Sequence, residues 1–259
     1  MSHRIIDAHI HLDWYDKSKR EQILNELSRY HIEGLITVSS DFPSSSHNLQ
    51  LAKNHPRVHT AAGFHPEQQL HTGNKIDELF SFIDKYKEDL TAIGEVGLPY
   101  YLRQEDPSLS LKPYIELLEK FIKKSAYYNK PIVLHAIYED AGIACDLLEQ
   151  HNVKKAHFHW FKGNSAAVHR LKQNGYHVSV TPDCLYKERT HQLIQDYPLE
   201  LLMVETDGPW DFKQAEWTHP RMIHDSVKTI SEIKKVSVET VYKQLLSNTI
   251  NFYQLSHPE

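Results

Sequence analysis

The chain holds only two cysteines, Cys145 and Cys184, among its 259 residues. They make no metal-type spacing and read as buried thiols in a reducing compartment. No run approaches the roughly 18 apolar residues that a membrane span needs. The first twenty residues contain no apolar stretch of signal-peptide length. The expectation is a soluble, cytoplasmic protein with no membrane association and no stable protein partner. Positive charge is not in excess. Lys and Arg total 29 against 34 Asp and Glu, a formal net charge of −5. That balance excludes a protein that coats nucleic acid, yet it allows an enzyme that grips a few phosphates in one cleft. The sequence has no GxGxxG or Walker loop, no internal repeat and no Pro/Gly-rich linker. Its 40% hydrophobic and 24% charged residues rule out wholesale disorder. Histidine is plentiful, with 19. Most, such as His47, His55, His59 and His191, sit among polar residues and read as surface. The informative ones end strands.

Short apolar runs alternate with longer amphipathic ones. Strands are expected at 4–10, 34–39, 58–63, 90–95, 132–135, 155–159, 176–179 and 201–205. Between them, 75–86 aligns Ile76, Leu79, Phe80 and Ile83 on one stripe, and 109–128 does so with Leu117, Leu118, Phe121 and Ile122. Further helices are expected at 141–151, 165–174, 186–196 and 221–234, with Gly175 as a helix-ending glycine. Eight strands, each followed by a helix, predict an α/β fold of the closed (β/α)8 TIM barrel type. Residues 1–259 form a single domain in this reading, and a C-terminal helix over 238–255 packs onto the barrel. An open doubly wound sheet is the alternative, but it usually carries fewer strands and a Gly-rich loop.

Barrel enzymes place their chemistry at the C-terminal ends of the strands. The first strand ends Asp7-Ala8-His9-Ile10-His11. Strict alternation puts Asp7, His9 and His11 on one face, where two imidazoles can chelate one ion and Asp7 can orient one of them. A hydrogen-bonded core histidine beside a surface one is the plainer alternative. Glu95 follows an apolar run, and a carboxylate buried there needs a cation, either a metal or a neighbouring Lys or Arg. Its flanking glycines, Gly94 and Gly97, suit a close approach of backbone. The fifth strand ends in His135. The sixth offers His157 and His159 on one face. Proximity to the strand end and to Gly163 favours His159 and leaves His157 to the core or to a supporting role. The eighth ends Glu205-Thr206-Asp207, with Asp207 outermost and a candidate ligand or general base. In all, five of eight expected strand ends carry His, Glu or Asp. Four imidazoles and two carboxylates exceed the needs of one ion, so two divalent ions bridged by a carboxylate are expected. Mixed N/O donors suit Zn²⁺, Mn²⁺ or Fe²⁺, and suit Mg²⁺ less well.

These motifs resemble the TatD family of metal-dependent hydrolases, TatD-like deoxyribonucleases within the amidohydrolase superfamily. DAHIHL at 7–12 is similar to the family's DxHxH. AAGFHP at 61–66 is similar to its GxHP segment, and GEVGL at 94–98 to its GE[IV]GLD. PIVLHA at 131–136, HWFKG at 159–163, ETDGPW at 205–210 and the closing SNTINFY at 247–253 continue the match over nearly the whole chain. The resemblance implies His9, His11 and Asp207 at one ion, His135 and His159 at a second, and Glu95 bridging them. It also implies a deoxyribonuclease or 3′-exonuclease acting on phosphodiesters. Two positions depart from the pattern. Pro99 stands where the family usually has Asp, and Ile137 where it usually has Arg. The missing arginine removes a bidentate phosphate clamp.

The resulting expectation is metal-assisted hydrolysis of a phosphate ester, with Asp207 and Glu95 as catalytic residues and Asp207 as the base that accepts a proton from water. The substrate is a phosphodiester, with single-stranded DNA as a candidate. His65, after the third strand, could touch a phosphate or leaving group. Lys162, Arg103, Lys187 and Arg189 could meet phosphate, and Trp160, Trp210, Tyr100 and Tyr101 could stack a base. Each of these charges and rings could equally be solvated surface or packing. An amidohydrolase acting on a small amide or lactone is the first alternative, and a non-catalytic metal-binding protein the second.

Overall fold

The computed structural model describes residues 3–70, 75–213 and 216–256. Eight parallel strands pair in sequence order: β1 (Ile5–Ile10), β2 (Ile32–Thr37), β3 (Val58–Ala62), β4 (Ala92–Gly97), β5 (Ile132–His135), β6 (Ala156–Phe158), β7 (His177–Val180) and β8 (Leu202–Val204). The helices are α1 (Lys17–Glu26), α2 (Phe42–Asn54), α3 (Lys75–Tyr86), α4 (Tyr100–Glu105), α5 (Lys112–Tyr128), α6 (Asp140–Gln150), α7 (Ser165–Asn174), α8 (Glu188–Asp196), α9 (Ile223–Lys234) and α10 (Val238–Tyr253). This is a (β/α)8 barrel, as the strand count predicts. Among the described residues no helix is long and apolar enough to cross a membrane.

β8 returns to β1 at the C-terminal rim. The Asp207 N–H donates to the His9 carbonyl at 2.9 Å, and the His11 N–H donates to the Gly208 carbonyl at 2.8 Å. One step lower, a side chain completes the seam, because Asp7 Oδ1 accepts the Thr206 N–H at 3.0 Å and Asp7 Oδ2 accepts the Thr206 hydroxyl. Asp7 therefore ties the last strand to the first instead of orienting an imidazole. The alternation that placed it beside His9 is broken by a register shift between Asp7 and Ile10. A second shift lies between Ile93 and Val96 in β4. Such bulges re-aim side chains, and here they fall on the two strands that carry His9, His11 and Glu95.

The helix layer and the outward strand residues, such as Ile5, Leu35, Ile132 and Leu134, make the main core. A second cluster fills the barrel itself, where Ile6, Ala8, Ile36, Val38, Val133 and Met203 meet Ile250, Phe252 and Tyr253 from α10. The C-terminal helix thus contributes to the barrel interior as well as packing on its outside. Both cysteines are free and buried.

Several boundaries differ from expectation. β6 and β8 are three residues each, so His159, Glu205 and Asp207 lie just beyond the strands they were assigned to. Leaving the ladder frees their backbones to turn inward. Asp207 (φ 51°) and Trp160 (φ 36°) both take left-handed conformations there, a strained one for a residue as bulky as tryptophan. α4 has no counterpart among the expected helices, and α5 starts at Lys112, not at 109, with Pro113 in its first turn. Gly175 ends α7 in the left-handed conformation (φ 69°).

Candidate metal centre

The six side chains singled out as metal ligands converge at the C-terminal rim. His9 and Glu95 have no exposed surface, and His11, His135, His159 and Asp207 are each at most 8% exposed. Glu95 lies at the middle, with its two oxygens facing different partners. On one side, Oε2 is 3.1 Å from His9 Nε2 and 3.2 Å from His11 Nε2. Asp207 Oδ1 completes this set at 3.3 Å from His9 Nε2 and 3.6 Å from His11 Nε2. On the other side, Oε1 is 3.0 Å from His135 Nδ1 and 2.8 Å from His159 Nε2. These two nitrogens are 3.1 Å apart.

Donors held by one divalent ion at about 2.1 Å are separated from each other by about 3.0–3.4 Å, for octahedral and tetrahedral geometry respectively. Most of the observed separations fall in or beside that range. Yet His9 Nδ1 and Nε2, His11 Nδ1, Glu95 Oε2 and His159 Nδ1 are buried without a hydrogen-bond partner. Buried polar atoms left in this state are costly unless something else satisfies them. A cation among the inward-facing donors would do so, and the donor set fits one. His159 stacks on His9 at 3.9 Å between ring centroids, so it stands between the two sets. A trio of His9, His159 and Asp207 is also close enough to share an ion. The short contacts of His159 Nε2 to Glu95 Oε1 and His135 favour the second set.

Electrostatics agrees with the geometry. Burial opposes ionisation of Glu95, but His159, His9 and the hydrogen bond from His11 outweigh it and hold the carboxyl well below its usual range. Burial likewise opposes a charge on His9, and Glu95 and Asp207 overcome it, raising its pKa well above that of ordinary imidazole. A field that favours imidazolium favours a divalent cation at the same place.

His65 shares the neighbourhood, with Nε2 3.4 Å from Glu95 Oε1. Its Nδ1 accepts the Glu67 N–H at 3.2 Å. Burial lowers its pKa to about 3, so the ring is neutral and its proton resides on Nε2. That tautomer makes His65 a donor facing the cleft, although His65, Glu95 and His135 also lie close enough together to share an ion. His135 shows the reverse arrangement. Its Nε2 meets Glu67 Oε1 at 3.1 Å, and Glu67 and Glu95 overcome burial to raise its pKa to about 9; a cation in place of the Nδ1 proton would take Nδ1 as its donor. Glu67 is itself held by the Tyr101 and Leu102 N–H groups at the start of α4. The sequence offers no signal for this contact with His135 beyond the place of Glu67 two residues after His65. Glu205 accepts the Trp160 N–H at 2.7 Å, with the same oxygen 3.6 Å from His159 Nδ1. His157 lies deeper, in the barrel interior. Its Nδ1 pairs with the Tyr253 hydroxyl and its Nε2 with the Ser179 hydroxyl, each at 2.7 Å.

The cluster opens into a cavity of about 820 Å³ whose wall includes His65, Trp160, Lys162 and Trp210. Lys162 Nζ donates to the Tyr101 hydroxyl at 2.9 Å and lies 3.9 Å from the centre of the Trp160 ring. Burial lowers its pKa to about 8. The other cations expected to meet phosphate are placed elsewhere. Arg103 is tied to buried Asp140, Arg189 reaches the Tyr138 hydroxyl and Asp183, and exposed Lys187 does not line the cavity. Of the four aromatics named, Tyr101, Trp160 and Trp210 line the cleft and Tyr100 does not. Ile137 lines it and is almost fully buried. Pro99 precedes α4, where its carbonyl accepts the Arg103 N–H.

Imidazole and carboxylate donors gathered at the catalytic rim of a parallel eight-stranded barrel define a metal-dependent hydrolase. Comparison with known proteins narrows the class. The chain belongs to the family described as TatD related DNase, which matches residues 6–254. A Haemophilus influenzae protein called an uncharacterized metal-dependent hydrolase is 38% identical over 253 residues, covering 97% of this chain and all of the relative. The human deoxyribonuclease TATDN3 is 25% identical, with 96% of this chain and 94% of that protein covered. The crystal structure of YjjV, a TatD homologue from Escherichia coli, superposes with a TM-score of 0.88 at 22% identity over 99% of this chain and 100% of that one.

Proposed function

We propose that the protein hydrolyses a phosphodiester at a two-metal site, with His9, His11 and Asp207 at one ion, His135 and His159 at the other, and Glu95 shared. The observation that carries this reading is the orientation of Glu95, whose two oxygens each face a separate set of donors. Divalent ions bound there would lower the pKa of a water and offset charge on the attacking and leaving oxygens. The chain supplies the rest. Asp207 lines the cleft beside the first set and accepts the proton of the attacking water. His65 presents its Nε2–H to the phosphoryl group or to the departing oxygen, and Lys162 adds a positive charge to the wall. The aromatic walls and the desolvated lysine support an anionic ester carrying a flat group. The human relative, a deoxyribonuclease, favours DNA as the source of that ester.

The test is metal analysis combined with a substrate panel. Enzyme loaded with Zn²⁺ or Mn²⁺ is expected to cleave a nitrophenyl phosphodiester and single-stranded DNA, and to carry two ions per chain. Glu95→Gln keeps the shape but replaces one oxygen by an amide nitrogen. It is expected to hold one ion or fewer and to lose at least about 10²-fold in kcat, as when a transition-state electrostatic contact is removed. Cleavage of a lactone panel alone, with phosphodiesters untouched, would remove the phosphodiesterase reading.

A further inference from the structure

The charge distribution of the cleft identifies a size of substrate as well as a bond. Proteins that follow a nucleic-acid strand line a groove with cations along several phosphates. Among the described residues, Lys162 is the one Lys or Arg in this wall. Beyond the metal cluster its neighbours in the wall include Glu67, Glu105 and Asp211. A second or third phosphate in this space would face carboxylates and not lysines. Arg103 is held by buried Asp140, and Arg189 lies outside this wall, 3.5 Å from Asp183. The remaining surface is apolar and mostly aromatic. Trp160 and Trp210 meet edge to face at 5.6 Å, and Trp14 lies flat against His11 at 3.9 Å. Lys162 is held between the Tyr101 hydroxyl and the Trp160 ring, which joins the segment after β4 to the segment after β6 beside the cluster. The cavity, about 820 Å³, is of the size that encloses one small molecule.

From this geometry we infer that the cleft takes a compact ester with a single phosphoryl charge and an aromatic body, of dinucleotide size or smaller, and that it does not track a strand. Lys162 sets that preference as the single cationic contact outside the metal cluster. The inference rests on the phosphodiesterase reading and narrows its substrate.

Salt dependence tests it. kcat/KM is measured for the nitrophenyl ester of thymidine 5′-monophosphate, for a thymidine dinucleotide and for a twenty-residue oligothymidylate, across a range of salt. A strand binder loses affinity with a log–log slope of about −0.7 per phosphate contacted. The expected result is a slope no steeper than about −1 for all three substrates, with kcat/KM within about tenfold among them. Lys162→Ala is expected to flatten the slope and raise KM, while Lys162→Arg and Arg189→Ala retain it. A slope steeper than about −2 on the oligonucleotide, with a preference for it above about 100-fold, overturns the inference while leaving phosphodiester hydrolysis standing. Failure to cleave any phosphodiester, with cleavage of a lactone or amide, removes the parent reading instead, so the two failures are distinguishable.

Discussion

His157 and His159 are two residues apart, and the barrel uses them for different ends. Replacing His157 by Leu removes a ring whose two nitrogens are both paired in a fully buried site. The Tyr253 and Ser179 hydroxyls each lose a partner, at about 1–3 kcal/mol per unsatisfied group. Neither is wholly stranded. Tyr253 still reaches the Ala8 carbonyl at 3.3 Å, and Ser179 Oγ still accepts the Trp160 N–H at 3.2 Å. The lower part of the range therefore applies, about 2–4 kcal/mol in total. For a chain of this size that is a fall in Tm of roughly 5–15 °C. Metal content per chain, read by elemental analysis, is expected to match the unaltered protein, whereas His159→Ala loses metal and activity. Adding Tyr253→Phe and Ser179→Ala to His157→Leu removes the two partner hydroxyls along with the ring. The combined variant is then expected to be more stable than the sum of the single losses, by about 1–3 kcal/mol of coupling. The reasoning fails if His157→Leu loses metal as severely as His159→Ala while melting normally, because the strand would then present the other histidine to the cluster.

Two further outcomes follow from the cleft and the sheet. Burial lowers the Lys162 pKa to about 8, so its positive charge is complete below that pH and is lost as pH rises through it. KM for a phosphodiester is expected to climb above pH 8, and Lys162→Arg to move the climb to higher pH, as steady-state kinetics at several pH values would show. A β-carbon at Gly97 would collide with the His135 carbonyl oxygen. Gly97→Ala is therefore expected to push β4 and β5 apart, costing at least about 1–3 kcal/mol in urea unfolding and lowering metal affinity together with it.

The strand ends were legible because an apolar run that stops at His or Glu carries its own contradiction, as in Ile132–His135 and Ala92–Gly97. The split between His157 and His159 could be read from distance to the following turn. Asp7 could not, because the alternation rule assumes an unbroken ladder and β1 shifts register there. α1 and α2 escaped notice for another reason. α1 buries only Ile23, and α2 opens on Phe-Pro-Ser-Ser-Ser, so neither shows an apolar stripe of the kind that marks α3. Their signals were in the caps, where the Asp16 and Asp41 side chains accept backbone N–H groups. The pairing of Arg103 with Asp140 and of Glu67 with His135 joins residues 37 and 68 positions apart. No local pattern encodes such distant partners.

The seam between the first and last strands has a consequence for how the protein is made. Asp7 and Thr206 are 199 positions apart in the chain, and the main-chain bonds beside them run through His9, Asp207, His11 and Gly208. The nascent polypeptide leaves the ribosome with His9 and His11 ready and their acidic partner still unsynthesised. An ion gripped by His9 and Asp207 would be a buckle across the junction between the first strand and the last. An ion held there would then report that translation has passed the eighth strand, and a chain cut short before it would be left with an unclosed cylinder and without the Asp207 carboxylate.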